Sequence, residues 1–295
     1  MAEATLHIGG HGLLLRGGDT VERVMHFPGM KVFAVDPCSC DMEIRLDSNL
    51  LSSFTSRPSP RWLHEFNIID GTQVCRFGID AEGTYYYTFA PWGLLRYREG
   101  EGVDIDIHGN MDALRFALWL AYAMMGVRLG AVPIHSSTVV CNGKAILCLG
   151  ESGTGKSTHT RLWMENIAGT YLLNDDSPIV SLIPASQGGD YEVRVYGSPW
   201  SGKTHCYRQE SFPIAGLLRL EQRKENTIRR LDTIESFIAL QPSCPPALAK
   251  EEHCMDLLVD YISQVLERVP AYRMGCLPDA DAARLSHKTI ILHED

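Results

Sequence analysis

Apolar residues in the first hundred positions come in short runs broken by turn formers, a spacing that suits strands better than helices. Lys31 to Val35, Val74 to Ile79, Thr84 to Phe89 and Leu94 to Arg98 are such runs, and Glu82-Gly83 and Pro91-Trp92-Gly93 separate them. Residues 1–109 therefore read as a small, mostly antiparallel β region, with Ser52 to Pro60 as an exposed loop within it.

The pattern changes at Asn110, a candidate N-cap, after which Met111 to Val127 is proline-free and apolar almost all round, as a buried helix requires. Two strand-like runs follow, Val132 to Val140 and Ala145 to Leu149, joined by the hairpin turn Cys141-Asn142-Gly143-Lys144. Ser157 to Ile167 reads as a helix, and Thr170 to Leu173, Ile179 to Ile183, Val193 to Tyr196 and Leu217 to Leu220 read as strands. Helical periodicity returns over Asp232 to Leu240 and Glu252 to Val269, where Met255, Leu258, Val259, Ile262 and Leu266 are expected on one face. Residues 110–295 thus form an α/β domain in this reading.

Composition narrows the function classes. With 45% hydrophobic and 21% charged residues the chain is globular, and its net charge of -9 disfavours nucleic acid and anionic lipid as partners. The most apolar stretch, Phe116 to Val127, is shorter than the roughly 20 residues that span a bilayer and is bracketed by Arg115 and Arg128, so no membrane role is expected. The amino terminus lacks a secretory pattern, which suggests a cytoplasmic protein. Nine cysteines without a Cys-x-x-Cys pair read as reduced thiols, and Cys38 and Cys40 have no partner His or Cys close in sequence to make a metal site. Tyr85-Tyr86-Tyr87 has no basic cluster beside it, and successive strand residues face opposite ways. These rings read as packing residues, not as a base-stacking platform.

The chemistry centres on Gly150-Glu151-Ser152-Gly153-Thr154-Gly155-Lys156-Ser157. Glycines at this spacing let the backbone curl so that N–H groups face phosphate oxygens, while the following helix presents its positive end to the same charge. Lys156 is expected to reach the terminal phosphates of a nucleoside triphosphate, and the Ser157 hydroxyl to ligate magnesium. Gly150, Ser152, Gly153, Thr154, Gly155 and Thr158 complete the expected nucleotide contacts. ATP is the expected nucleotide, with GTP left open.

Asp175 and Asp176 follow at the end of a short apolar strand. In a strand-loop-helix-strand unit that end lies beside the phosphate loop. Adjacent carboxylates favour a divalent cation or a shared proton, either of which suits a kinase. The segment Asn174-Asp175-Asp176-Ser177-Pro178 is equally a good Asx-turn sequence.

The order and spacing of Ile134-His135-Ser136-Ser137, the loop from Gly150 to Thr158 and the Asp175-Asp176 pair resemble the catalytic domain of the HPr kinase/phosphorylase superfamily, which is related in structure to phosphoenolpyruvate carboxykinases. The likeness runs over roughly Asn110 to Ile183 and is nearest to the HPr-kinase-like proteins of bacterial genomes, some of which phosphorylate serine in ribosomally made peptides. It implies a P-loop α/β domain of the HPr kinase C-terminal and carboxykinase type, preceded by a smaller mostly β region. It also implies that His135, by residue type alone more often structural, packs beside the Asp pair near the transferred group. Asp176 would be the general base and Asp175 the carboxylate supporting magnesium, with an exchange of roles left open.

Tyr196-Gly197-Ser198-Pro199-Trp200-Ser201-Gly202-Lys203 also looks like a recurring segment of these relatives, with Lys203 either meeting a phosphate or acidic acceptor or ending a surface turn. Arg219, Arg223 and Lys224 flank a strand, where basic residues are usually solvated, and stay outside the expected site. Thr158 stands where HPr kinases carry an acid, which moves the expected acceptor away from HPr, and the chain is too short for a carboxykinase. The expectation is a magnesium-dependent kinase acting on a hydroxyl, serine above all, of a protein, peptide or small molecule. The alternatives are a nucleotide-binding regulatory or scaffold module without turnover and an acceptor-independent ATPase. Oligomeric state stays open, a homo-oligomer included.

Overall fold

The computed structural model describes residues 2–46, 49–55, 59–68, 73–185, 191–250 and 252–293. The chain divides into one unit of residues 1–7 with 11–126 and a second of residues 8–10 with 127–295.

The first unit contains β1 (Ala2–Ile8), β2 (His11–Gly17), α1 (Asp19–Met25), β3 (Ala34–Val35), β4 (Met42–Leu46), α2 (Leu50–Thr55), β5 (Arg61–Ile68), β6 (Gln73–Ile79), β7 (Tyr85–Phe89), β8 (Gly93–Arg98), β9 (Gly102–Ile107) and α3 (Met111–Gly126). Its sheet runs β3-β1-β2-β4-β9-β8-β7-β6-β5. From β5 to β9 it is an antiparallel meander, whereas β4 pairs parallel with both β2 and β9. Tyr85 and Tyr87 stack on Phe77 from one face while Tyr86 packs on Phe54, and all three tyrosines are buried, which bears out their role in packing.

Two local expectations are corrected here. Lys31 to Val35 is not a five-residue strand: Met30–Phe33 form a 3-10 turn that begins after Gly29 at φ 88°, leaving only Ala34–Val35 to pair with β1. Ser52 to Thr55 belong to α2, where buried Leu50 joins Tyr86 and Leu94 in a small cluster with Phe54. Residues 56–58 of that expected loop lie outside the described residues. Asn110 does cap α3, its Oδ1 accepting from Ala113 N at 2.9 Å. That helix clusters with the first unit, so the structural division falls after Gly126, beyond the change of pattern at Asn110.

The second unit contains β10 (Ala131–Pro133), β11 (Ser136–Cys141), β12 (Lys144–Leu149), α4 (Lys156–Asn166), β13 (Thr170–Asn174), β14 (Ile179–Pro184), β15 (Tyr191–Tyr196), β16 (Ser211–Gln222), β17 (Thr227–Arg230), α5 (Thr233–Leu240), α6 (Glu252–Arg268), β18 (Ala271–Cys276) and α7 (Ala280–Ile290). Its strands run β10-β14-β15-β16-β12-β11-β13, with β18 pairing parallel to β16 and antiparallel to β17. The expected strand Val132 to Val140 is two strands. The chain leaves β14 after Pro133, passes Ile134-His135, and re-enters the sheet beside β12. Strands β17 and β18 and helix α7 were not foreseen, because their short apolar runs are interrupted by arginines and acids.

In α6 the buried stripe is Cys254, Leu258, Tyr261, Ile262 and Val265. The expected face is turned by part of a revolution, with Val259 at 37% exposure. Among the described residues no helix is long and apolar enough to cross a membrane.

Helices α4 and α7 cover one face of this sheet. Trp163, fully buried, donates its indole N–H toward Ser286 Oγ at 2.9 Å and His159 Nε2 at 3.2 Å. A ring nitrogen that accepts from an indole resists a proton, and burial pushes the His159 pKa from 6.5 down to about 4. The unfolded chain therefore gains a proton on this ring near pH 6.5 while the native protein stays neutral until about pH 4. Stability is complete above pH 6.5 and falls as pH drops toward 4, by about 3 kcal/mol at most. Denaturant titrations across this window should show that slope in the wild type and a flatter one in His159→Gln; equal slopes would rule the ring out as its source.

Candidate active site

Strand β12 ends in the sheet at Leu149, and the chain curls through Gly153 (φ 83°) and Gly155 (φ 102°), backbone conformations that glycine adopts without strain. Gly155 is the N-cap of α4 and offers no side chain, so the N–H groups of Lys156, Ser157 and Thr158 have no partner among the described residues. Three unmet donors at the positive end of a helix make an anion-seeking surface. The Lys156 ammonium donates to Gly150 O at 2.8 Å and Glu151 O at 3.3 Å, drawn across the same loop. Gln222 Nε2 donates to Gly153 O at 3.0 Å and anchors the loop to the end of β16.

The Asp pair arrives at this edge by a different route from the simple strand-helix-strand unit. Strand β11 lies between β12 and β13, antiparallel to both, with Ser136 opposite Leu149 and Thr138 opposite Asn174. Strands β12 and β13 thus run the same way and finish at the same edge. Asn174, fully buried, builds the turn: its Oδ1 accepts from the N–H groups of Asp176 and Ser177 at 2.9 Å each, and its Nδ2 donates to Ser198 O and Trp200 O. The Asx turn and the presentation of the two carboxylates are one structure.

The carboxylates are not equivalent. Asp175 is only 9% exposed and its Oδ1 accepts from Ser137 Oγ at 2.7 Å; Ser137 in turn lies 2.8 Å from Thr160 Oγ1 on α4. Its Oδ2 has no hydrogen bond among the described residues. The Asp176 side chain is 44% exposed, accepts from Ser177 Oγ at 2.8 Å, and stands 3.9 Å from His135 Nε2. Each carboxylate accepts from its own serine hydroxyl, Asp175 from Ser137 and Asp176 from Ser177.

His135 is held by its backbone, donating N–H to Ser243 O at 2.7 Å, while Ser136 N donates to Asp176 O at 3.0 Å. The ring's pKa lies below its ordinary value, first because burial strips its water and then because Lys156 and Arg219 repel a proton, against the pull of Asp176 and Glu151. Burial likewise lowers Lys156, with Asp176 and Glu151 opposing that shift. The structure thus brings together Lys156, His135, Asp175 and Asp176, while Ser152 and Ser157 lie exposed and Thr158 half-buried on the loop and first helical turn.

Lys203 is placed differently. Gly202 packs on the Asp pair so closely that a Cβ there would meet Asp175 O at 3.0 Å, yet Lys203 itself is exposed, with no hydrogen bond or ion pair among the described residues. Arg219, set aside in the sequence reading, belongs to the site. It pairs in register with Leu149, its side chain is 17% exposed, and Nη2 donates to Glu151 Oε1 at 2.7 Å. Its buried Nη1 has no hydrogen-bond partner among the described residues. Only strand pairing reveals it, because 68 positions of chain separate it from Glu151 of the loop. Ser137 and Thr160 were also missed as supports; the one available signal was the Ser137 beside His135.

For a divalent cation the hard oxygens on hand are the Ser157 hydroxyl and the Asp carboxylates, a set that fits magnesium when phosphate oxygens and water fill the remaining positions. Among the described residues no three His, Cys, Asp or Glu side chains form a metal-holding group, Cys38 and Cys40 included. Beside the loop, on the α4 side, a cleft of about 380 Å³ is lined by Gly153, Thr158, Leu162, Arg223, Leu277 and Pro278.

No family model matches the sequence, and no curated protein matches it. Among solved structures the chain is similar to the HPr(Ser) kinase/phosphatase of Coxiella burnetii, at 11% identity and a TM-score of 0.32, over 55% of this chain and 89% of that one. So loose a superposition leaves the site to be judged on its own geometry.

Ser137→Ala should leave the Asp175 oxygen buried without its donor. The expected loss is about 1–3 kcal/mol in denaturant unfolding, where Ser137→Thr should lose less if the pocket admits the methyl group. A loss below about 0.5 kcal/mol for the alanine would show that water replaces the hydroxyl.

Proposed function

We propose that the protein is a magnesium-dependent kinase that transfers the γ-phosphoryl group of a nucleoside triphosphate, ATP first and GTP as the variant, to a hydroxyl. The observation that carries this reading is the convergence, at one sheet edge, of a helix start with unmet N–H donors, the Lys156 ammonium and two carboxylates of different exposure. The unmet donors suit the β- and γ-phosphates, and the apolar walls of Leu162, Leu277 and Pro278 suit the nucleoside. Magnesium, held by Ser157 and Asp175, neutralises charge on the transferring group.

Asp176 faces solvent and suits the role of base, with His135 beside it. Burial, and then the charge of Lys156, lower the His135 pKa and so favour a neutral imidazole beside Asp176. All nine cysteines are free thiols, in keeping with a reducing, cytoplasmic setting.

Calorimetry with Mg·ATP and mass spectrometry of candidate acceptors test this directly. Lys156→Met should weaken ATP binding by more than tenfold, while Asp176→Asn should bind ATP within a few fold of wild type and lose about 10²–10⁴ in turnover. ATP bound tightly by wild type and Asp176→Asn alike, with no ADP or phosphorylated product from either, would identify a nucleotide-binding module instead.

A further inference from the structure

The end of β12 is flanked in register by two strands: Leu149 stands opposite Ser136 of β11 on one side and opposite Arg219 of β16 on the other. The phosphate loop, which begins at the next residue, therefore has His135 and the Asp pair on one flank and Arg219 on the other. Two strand spacings, about 10 Å, separate Ser136 from Arg219, a gap that long cationic side chains can close. The charges of Asp176, Glu151 and Arg219 all act on both Lys156 and His135, so these groups form one electrostatic cluster around the loop.

Within that cluster Arg219 and Glu151 are unequal partners. The arginine side chain is 17% exposed and the glutamate side chain 72%, and Nη2 donates to Oε1 at 2.7 Å. Arg219 Nη1 is buried without a hydrogen-bond partner among the described residues. A guanidinium withdrawn from water needs an anion, whereas an exposed carboxylate is readily hydrated, so the glutamate is the half that can leave. Its departure does not dismantle the loop. Thr154 donates to Glu151 O through N at 3.2 Å and through Oγ1 at 2.8 Å, and Gln222 Nε2 holds Gly153 O at 3.0 Å.

We propose that Glu151 and Arg219 form a latch that distinguishes a nucleoside triphosphate from a diphosphate, an assignment that rests on the nucleotide site proposed above. With the nucleoside in the cleft beside Gly153, Thr158 and Leu162, the phosphate chain runs along the start of α4 to the Lys156 ammonium. The charged neighbours of that ammonium are Asp176, Glu151, Arg219 and Asp175, so the terminal phosphate is the one that meets the latch. A γ-phosphoryl group carries more negative charge and more acceptor oxygens than one carboxylate, and a guanidinium fork matches it, so it takes Arg219 from Glu151. The exchange costs little on the glutamate side, because an ion pair with so exposed a partner is weak. A diphosphate ends one group short and leaves the pair in place. Once the γ-phosphoryl group has passed to the acceptor the pair re-forms, which favours release of the diphosphate.

Calorimetry on the full chain with magnesium and either ADP or the β,γ-methylene analogue of ATP tests the latch. The wild type should bind the analogue about tenfold or more tightly than ADP, and Arg219→Gln should lose that preference through the analogue alone. Arg219→Lys, which keeps the charge without the fork, should retain part of it. Glu151→Gln should tighten the analogue by about three- to tenfold with a smaller gain for ADP, and the difference should vanish when it is combined with Arg219→Gln. Equal affinity of the wild type for the two nucleotides overturns the latch and leaves the nucleotide site standing. So does an equal loss of both in Arg219→Gln, the mark of a merely structural arginine, or an equal gain of both in Glu151→Gln, the mark of a general charge effect. If Arg219→Gln fails to fold, as judged by circular dichroism, the change at exposed Glu151 decides by itself. A wild type that binds neither nucleotide sinks the kinase reading and the latch with it.

Discussion

The hydrogen bond from Ser137 Oγ to Asp175 Oδ1 at 2.7 Å joins the three elements on which the site is built. Ser137 is the second residue of β11, Asp175 follows β13, and Thr160 of α4 touches the same hydroxyl at 2.8 Å. A carboxylate this buried is tolerable only when its oxygens meet donors or cations. Its position therefore fixes the distance between the end of β13 and the first turns of α4, which carry Lys156 and Ser157. With Asp175 held below the surface, Asp176 is turned outward toward His135 by chain alternation and by the Asn174 turn.

Charge is organised around that anchor. Lys156 and Arg219 are both partly desolvated and both lean on the loop itself, the one through Gly150 O and Glu151 O, the other through the Glu151 carboxylate. Burial dominates the shifts of Lys156 and His135, and the charges of Asp176 and Glu151 oppose it. An anion at the helix start would find donors already in place, and low hydration raises the worth of each contact.

The sequence by itself determined the local features whose causes are local. The glycine spacing of the loop, the helix after it, the Asn110 cap and the Asn-Gly hairpin between β11 and β12 all depend on backbone sterics and near neighbours, and all appear as expected. The alternation in Tyr85-Tyr86-Tyr87 was legible for the same reason. Only tertiary structure decided the rest. That β11 lies between β12 and β13, that Val132 to Val140 breaks at His135, and that Arg219 stands level with Leu149 follow from strand pairing between distant segments. The phase of the buried stripe on α6 depends on what the helix packs against, and the rank of the two carboxylates depends on the burial that Ser137 and Thr160 enforce. Pairing and burial are set by the whole sheet, and no spacing along the chain encodes them.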